Sequence, residues 1–316
     1  MSTRTAIFRK PFLLVFLFVL LLLLAAAPLY ATRYSVVFLT TIFMYVILTM
    51  SWTFFSAPTG YISLAPAAFF GTGVYSSALL GLVLPLSAVI VIGSLASACL
   101  ALLVGTLTLR LRGIYFVMFT FGLVEFLLHF ILWWEVNITG TTGRVVPTVN
   151  NTTVYYLMLT ILVILVLTAA LTKRSKYGLA LQSIGECEEA AAHTGVNVTA
   201  LKVTTFGVSA FFMGAAGVVM ATRWTYIDPK IAFNPVLSFL PVLMAIFGGT
   251  GQLYGPAIGA AIFTSLEEFL ITRFPYYYML IFGVIMVLAI LYLPEGLVGL
   301  IQMLRNRIGG AKRDAP

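Results

Sequence analysis

The chain has 316 residues, of which 61% are hydrophobic and 9% charged, with a mean hydropathy of +1.07. Soluble globular domains carry about 25% charged residues, so an aqueous fold, a disordered chain, a coiled coil, a secreted disulfide scaffold and a nucleic-acid binder are all disfavoured. Lipid must be the solvent for much of this surface, and the net charge of +8 then reports on topology, because Lys and Arg collect in the cytoplasmic segments of membrane proteins.

Apolar runs recur at 12–30, 34–55, 60–80, 84–109, 113–134, 154–172, 203–222, 236–250, 255–272 and 277–293. A spanning helix needs about 20 apolar residues, so the pattern predicts an all-α, polytopic transmembrane bundle of about ten spans, with eight or nine as the alternative count. Gly and Pro interrupt the runs at 60–80 and 236–272, which predicts broken helices there. Arg4, Arg9 and Lys10 precede the first run, which reads as a retained helix, with cleavage after Ala27 or Ala31 as the alternative. Ten crossings from a cytoplasmic N-terminus place 13 of the 18 basic residues inside, among them Arg110, Arg112, Lys173, Arg174, Lys176 and Lys202. Both termini are then cytoplasmic. The whole of 1–316 reads as one transmembrane domain, with a cytoplasmic loop at 173–202 and a cytoplasmic tail at 303–316.

Two polar stretches stand apart. The outer one, 135–153, holds Thr139-Gly140-Thr141-Thr142-Gly143. The inner one, 173–202, holds Glu186, Glu188 and Glu189, then Ala190-Ala191-Ala192 and Gly195. Alanine and glutamate favour helix, and glycine suits a helix C-terminus, so a short helix is predicted to end near Gly195. Such a loop is either a docking surface or a solvated connector.

Charge inside a span is costly. Glu125 falls near the middle of its run, with His129 one turn on along the same face. The pair reads as a polar lining or coupling group, or as an interhelical hydrogen bond that fixes packing. Glu267 and Glu268 lie near the outer end of theirs, where they reach the interface or meet Arg273. Gly251, Gly255 and Gly259, and Ala210 with Gly214, form small-residue steps that allow close helix approach. Glycines in the interrupted segments, Gly60, Gly71, Gly248, Gly249, Gly251 and Gly255, are candidate hinges.

Enzymatic signatures are missing. The dipeptide Gly-Lys never occurs, so there is no P-loop. His-Glu-x-x-His, Gly-x-Ser-x-Gly and metal-spaced Cys/His clusters are absent too. The two cysteines, Cys99 and Cys187, make no disulfide framework. Composition and missing chemistry together favour a transporter or channel over an intramembrane enzyme.

Several segments in order resemble the LivM-type permease of branched-chain amino-acid ABC importers. They are Gly60-Tyr61-Ile62-Ser63-Leu64 with Ala67-Ala68-Phe69-Phe70-Gly71, then Arg110 through Phe116 with Thr120 and Glu125. Next come the Thr/Gly loop 139–143, Glu189-Ala190-Ala191 followed by Gly195, then Gly248-Gly249-Thr250-Gly251 with Gly255-Pro256, and Leu293-Pro294-Glu295-Gly296-Leu297. The resemblance implies that Glu186, Glu188, Glu189, Ala190, Ala191 and Gly195 form the coupling loop that docks on a cytoplasmic ATPase. Thr120, Glu125 and His129 would belong to the path or to a polar network. The family's Arg and Asn before the paired alanines are replaced here by Gly185-Glu186-Cys187-Glu188, and Ala65-Pro66 stands where the family has Gly followed by His or Gln.

The resemblance also implies partners: a second homologous permease, two cytoplasmic ATP-binding subunits, a periplasmic or lipid-anchored substrate-binding protein, and membrane lipid. No cofactor is expected on this chain, with ATP and Mg held by the ATPases, in a bacterial or archaeal inner membrane. Related permeases of urea, short amides or sugars are the alternatives within the class. A proton-coupled secondary transporter using Glu125 and His129, and a scaffold without transport, are the alternatives outside it.

Overall fold

The computed structural model describes residues 11–111, 113–292 and 296–299. The predicted tail at 303–316 lies outside these residues, as do Arg112 and Leu293-Pro294-Glu295 of the quoted motifs. Ten long helices follow the ten apolar runs: α1 (Pro11–Tyr30), α2 (Arg33–Thr59), α3 (Pro66–Leu80), α4 (Leu86–Thr108), α5 (Ile114–Trp134), α6 (Asn151–Arg174), α9 (Val198–Ala221), α11 (Val236–Gly248), α12 (Gly255–Arg273) and α13 (Tyr278–Tyr292). Between them lie the short α7 (Lys176–Glu186), α8 (Glu188–His193) and α10 (Pro229–Ala232), and two strands, β1 (Arg144–Val145) and β2 (Tyr226–Ile227), which pair antiparallel.

Among the described residues, six segments are long and apolar enough to cross a membrane by length and composition: α2, α4, α5 with its C-terminal extension, α6, α9, and α10 with α11. Of the remaining long helices, α3 and α13 have only 15 residues each. At 1.5 Å per residue, the 15 residues of α3 reach about 22 Å, against a hydrocarbon core of about 30 Å. The predicted span 60–80 is therefore not one helix. Gly60 adopts φ 73° and closes α2 with its N–H on Ser56 O, and Pro66 opens α3. The five residues between them have no regular secondary structure.

Successive loops alternate between the two ends of the bundle. At one end Lys202 meets the Leu109 carbonyl, and a Cβ on Gly185 would strike the Pro58 carbonyl, so the 109–113 turn, the α2 end and the 173–202 loop cluster there. At the other end β1 pairs with β2, and Val146 and Val149 donate to Thr225 O and Thr222 O. Tyr34 of α2 donates to Glu268 of α12 at 2.6 Å, which gives that carboxylate a partner from another helix. Asn150 and Asn197 cap α6 and α9 by accepting from Thr152 N and Ala200 N.

The core is built around α9, of whose span 83% is buried. Phe206 packs against Phe55, Phe69 and Phe116, with ring centroids 4.8, 5.1 and 6.2 Å away. Lipid tails are as apolar as leucine, so close van der Waals fit rather than escape from water holds such helices together. Exposed side chains such as Leu103, Leu107, Phe126, Leu171 and Leu280 are what a lipid-facing surface requires.

Candidate functional site

The break between α2 and α3 brings irregular backbone into the bundle, where every polar group needs a partner from protein. Hydroxyls and the indole N–H supply them. Thr120 of α5, wholly buried, accepts from Leu64 N at 2.9 Å while donating back to its own helix. Ser63 Oγ accepts from Ala65 N, Ser238 Oγ of α11 accepts from Ala67 N, and Trp52 Nε1 donates to Ser63 O. Thr120 thus acts on the backbone of the broken segment. Replacing it with the isosteric valine is expected to cost about 1–3 kcal/mol, the penalty of an unpaired buried N–H. Serine is expected to hold most of that stability; thermal unfolding in detergent separates the two.

At the end of the bundle, α7 and α8 fold onto the start of α9. Leu181, Ile184, Ala191, Val198 and Leu201 form a small apolar core separate from the main one. Ala191 is only 2% exposed within it. Ala190, Ala192, His193 and Glu189 face outward, as does Glu186 at the end of α7. The chain reverses at Gly195 with φ 84°, after Thr194 N and Gly195 N have closed α8 on Ala190 O and Ala192 O. The short helix predicted to end near Gly195 is α8; α7 precedes it, and Cys187, extended at φ −157°, separates the two.

Three of the predicted residues from distant parts of the chain meet in one crevice. Gly60, Glu186 and Gly251 line a cavity of about 430 Å³, with Pro58, Lys173 and Gln252. The other candidate hinges differ in character. Gly248, Gly255 and Gly259 bring the backbones of α11 and α12 into contact, and a Cβ on any of them would meet main-chain atoms. A Cβ on Gly71 would instead strike the Phe233 ring first, with the Ala232 carbonyl close behind. Gly249, with φ 94°, is a turn position, and the space around Gly251 is open.

Glu125 and His129 point away from the bundle, their side chains 41% and 71% exposed. His129 Nδ1 is 2.8 Å from the Glu125 carbonyl oxygen and 3.8 Å from its carboxylate. Among the described residues, their polar partners lie within α5 itself. Among these residues the interhelical hydrogen bond that the sequence allowed does not form, and Thr120 sits on the opposite, buried face of the helix.

The family described as branched-chain amino acid transport system, permease component, matches residues 34–290. The chain belongs to this family. Among relatives of this permease is the high-affinity branched-chain amino acid transport system permease protein LivM of Salmonella typhimurium, 28% identical over 94% of this chain and 78% of the relative. LivM of Escherichia coli K12 matches at the same identity and coverage. The L-arabinose ABC transporter permease protein AraH of Azospirillum brasilense is 28% identical over 39% of this chain and 38% of its own. No solved structure matches.

Two features of this permease escaped the sequence. Glu135, read as the first residue of a polar loop, is 1% exposed. Its carboxylate accepts from Gly143 N at 2.7 Å and faces Arg144 Nε at 3.4 Å, which ties the Thr/Gly loop beneath it. Tyr226 of β2 donates to the Thr142 carbonyl and closes the same loop from the other side. The second is Lys202, counted only as a topological charge and in fact buried. A span predicted to end in a polar loop gives no sign of either burial, since Glu135 depends on how the loop after it folds back and Lys202 on partners from other elements.

Proposed function

We propose that this chain is the membrane-spanning subunit of an ATP-driven importer for branched-chain amino acids, docking a separate ATPase through α8. Membership of the permease family and similarity to LivM over almost the whole chain carry the substrate class. The observation that supports the docking role is the outward face of α8, Glu189, Ala190, Ala192 and His193, held on a self-contained apolar platform at one end of the bundle. By the bias of basic residues that end is cytoplasmic, in the inner membrane. ATP and magnesium belong to the ATPases, and this chain supplies the path.

The face of α5 supports a second permease subunit as neighbour. A carboxylate and an imidazole half-way along an apolar helix are costly against lipid. Protein or water must therefore cover Glu125 and His129, and two permeases meeting at this face would enclose a path between them. A substrate-binding protein on the opposite side of the membrane would deliver the amino acid.

The test is uptake by the complete transporter in proteoliposomes. Leucine is expected to enter only with ATP inside and to be indifferent to a protonophore. Glu125→Leu is expected to cut uptake about tenfold or more, the scale of a lost polar contact in a dry site, while Glu125→Gln keeps most of it. Full uptake with Leu removes the residue from the path. Loss with Gln in a normally folded protein, together with sensitivity to the protonophore, favours proton coupling instead.

A further inference from the structure

One lysine joins three separate parts of the fold at the end of the bundle that carries α8. Lys202, in the first turns of α9, is 2% exposed. An ammonium has three donors, and all three are used. Lys202 Nζ donates to Glu188 Oε1 of α8 at 2.7 Å, to the Tyr61 hydroxyl at 3.1 Å, and to the Leu109 carbonyl at the end of α4 at 3.0 Å. Tyr61 closes the triangle by donating to Glu188 Oε2 at 3.0 Å. The ammonium also lies 4.6 Å from the centre of the Tyr61 ring, where a cation is attracted to the π face.

Buried charges are costly unless fully paired, and a fully satisfied network fixes one geometry. Here that geometry spans elements with different freedom. Tyr61 is the first residue after the Gly60 turn and begins the irregular segment that leads to α3. Its ring packs edge-on against Phe116 at 5.4 Å, within the aromatic cluster around Phe206. The approach of Gly185 to the Pro58 carbonyl seats α7 on the same end of α2. A displacement of α8 therefore pulls first on Tyr61, just where the chain between two spans has no helical stiffness of its own.

We propose that Lys202 is a positioning residue for transport. It couples movement of α8 to the 61–65 segment and the buried start of α3, so that an event at the docking helix changes the bundle. This inference rests on the reading of α8 as the ATPase-docking helix. It assigns Lys202 and Tyr61 a role in transmission, with no contact to the ATPase.

The experiment uses the complete transporter in proteoliposomes with its binding protein. Lys202→Met and Tyr61→Phe are each expected to keep the ATPase on copurification. Stimulation of ATP hydrolysis by substrate-loaded binding protein is expected to fall about tenfold in Lys202→Met, the scale of a lost charge-assisted hydrogen bond, and about threefold in Tyr61→Phe, which loses one hydroxyl. The double variant is expected to be no worse than Lys202→Met, because members of one network are not additive. Where Lys202→Met does not fold, Tyr61→Phe carries the test alone, since it keeps the ring and its packing. Stimulation within twofold of the parent in Tyr61→Phe and Lys202→Met overturns the proposal. So does release of the ATPase by Lys202→Met, which would make the lysine a prop of the loop. Loss of ATPase from an Ala190→Trp variant alongside intact stimulation in Lys202→Met sinks the transmission role and leaves docking standing. An ATPase that stays bound to Ala190→Trp removes the docking reading itself.

Discussion

Ala190→Trp is expected to release the ATPase and abolish ATP-driven uptake while leaving the membrane bundle intact. Ala190 faces outward on α8, and its neighbour Ala191 faces inward, buried against Leu181, Ile184, Val198 and Leu201. The two adjacent alanines therefore answer different questions. An indole at 190 projects from a loop whose own core is untouched, and it obstructs whatever lies against that face. An indole at 191 overfills a five-residue apolar core, and overpacking of that kind costs about 1–3 kcal/mol or more. Both variants are expected to lose the ATPase, but only Ala191→Trp is expected to open the 173–202 loop to limited proteolysis. Gly195→Val should behave like Ala191→Trp, because φ 84° is strained for a β-branched residue. Copurification with the ATPase and a protease digest of the intact membrane complex separate these cases. Full ATPase recovery and uptake in Ala190→Trp would make α8 a connector.

The helices were legible because each is an apolar run bounded by charge or by Gly and Pro, and the observed ends of α4, α5, α11 and α12 fall close to the predicted ones. The break in the run 60–80 was legible, but its extent was not, for a physical reason. Its residues are apolar whether helical or extended, and only Gly60 and Pro66 mark the break, as a left-handed C-terminal cap and a first-turn proline. Thr120 could be picked out as polar within a span, yet its partner, Leu64 N, is 56 residues away in sequence. Lys202 shows the same limit more strongly. Its partners are 14, 93 and 141 residues distant, so a residue that reads as a loop charge becomes the centre of a buried network. The inward face of the α7–α8 loop had a signal in Leu181 and Ile184, two apolar residues three apart in a polar stretch.

Gly217→Leu is expected to eliminate folded protein, whereas Gly283→Leu is expected to leave its yield unchanged. Both glycines lie within apolar helices, α9 and α13, where leucine is the better helix former by about 1 kcal/mol. Propensity alone predicts that both substitutions stabilise. The difference lies in what a side chain would meet. A Cβ at 283 has open space around it, on a helix that faces outward. A Cβ at 217 would collide with the Phe70 carbonyl of α3, with Phe70 C at 3.0 Å and Val74 N at 3.1 Å close behind. These are backbone atoms, so no rotamer change relieves the clash, and α3 must move away from α9. The same seam continues at Gly73, which meets the Gly214 backbone, and at Gly214, which meets Ser97 of α4. Gly214 of the predicted Ala210–Gly214 step belongs to this longer contact. Separating the helices forfeits close packing along the entire seam, which is the main attraction between helices in lipid. It also withdraws α3 from Ser238, whose hydroxyl satisfies Ala67 N. Monodisperse yield by size-exclusion chromatography in detergent reads the outcome directly. A well-folded Gly217→Leu protein would show that α3 and α9 tolerate separation, and that the seam does not set the position of the broken helix.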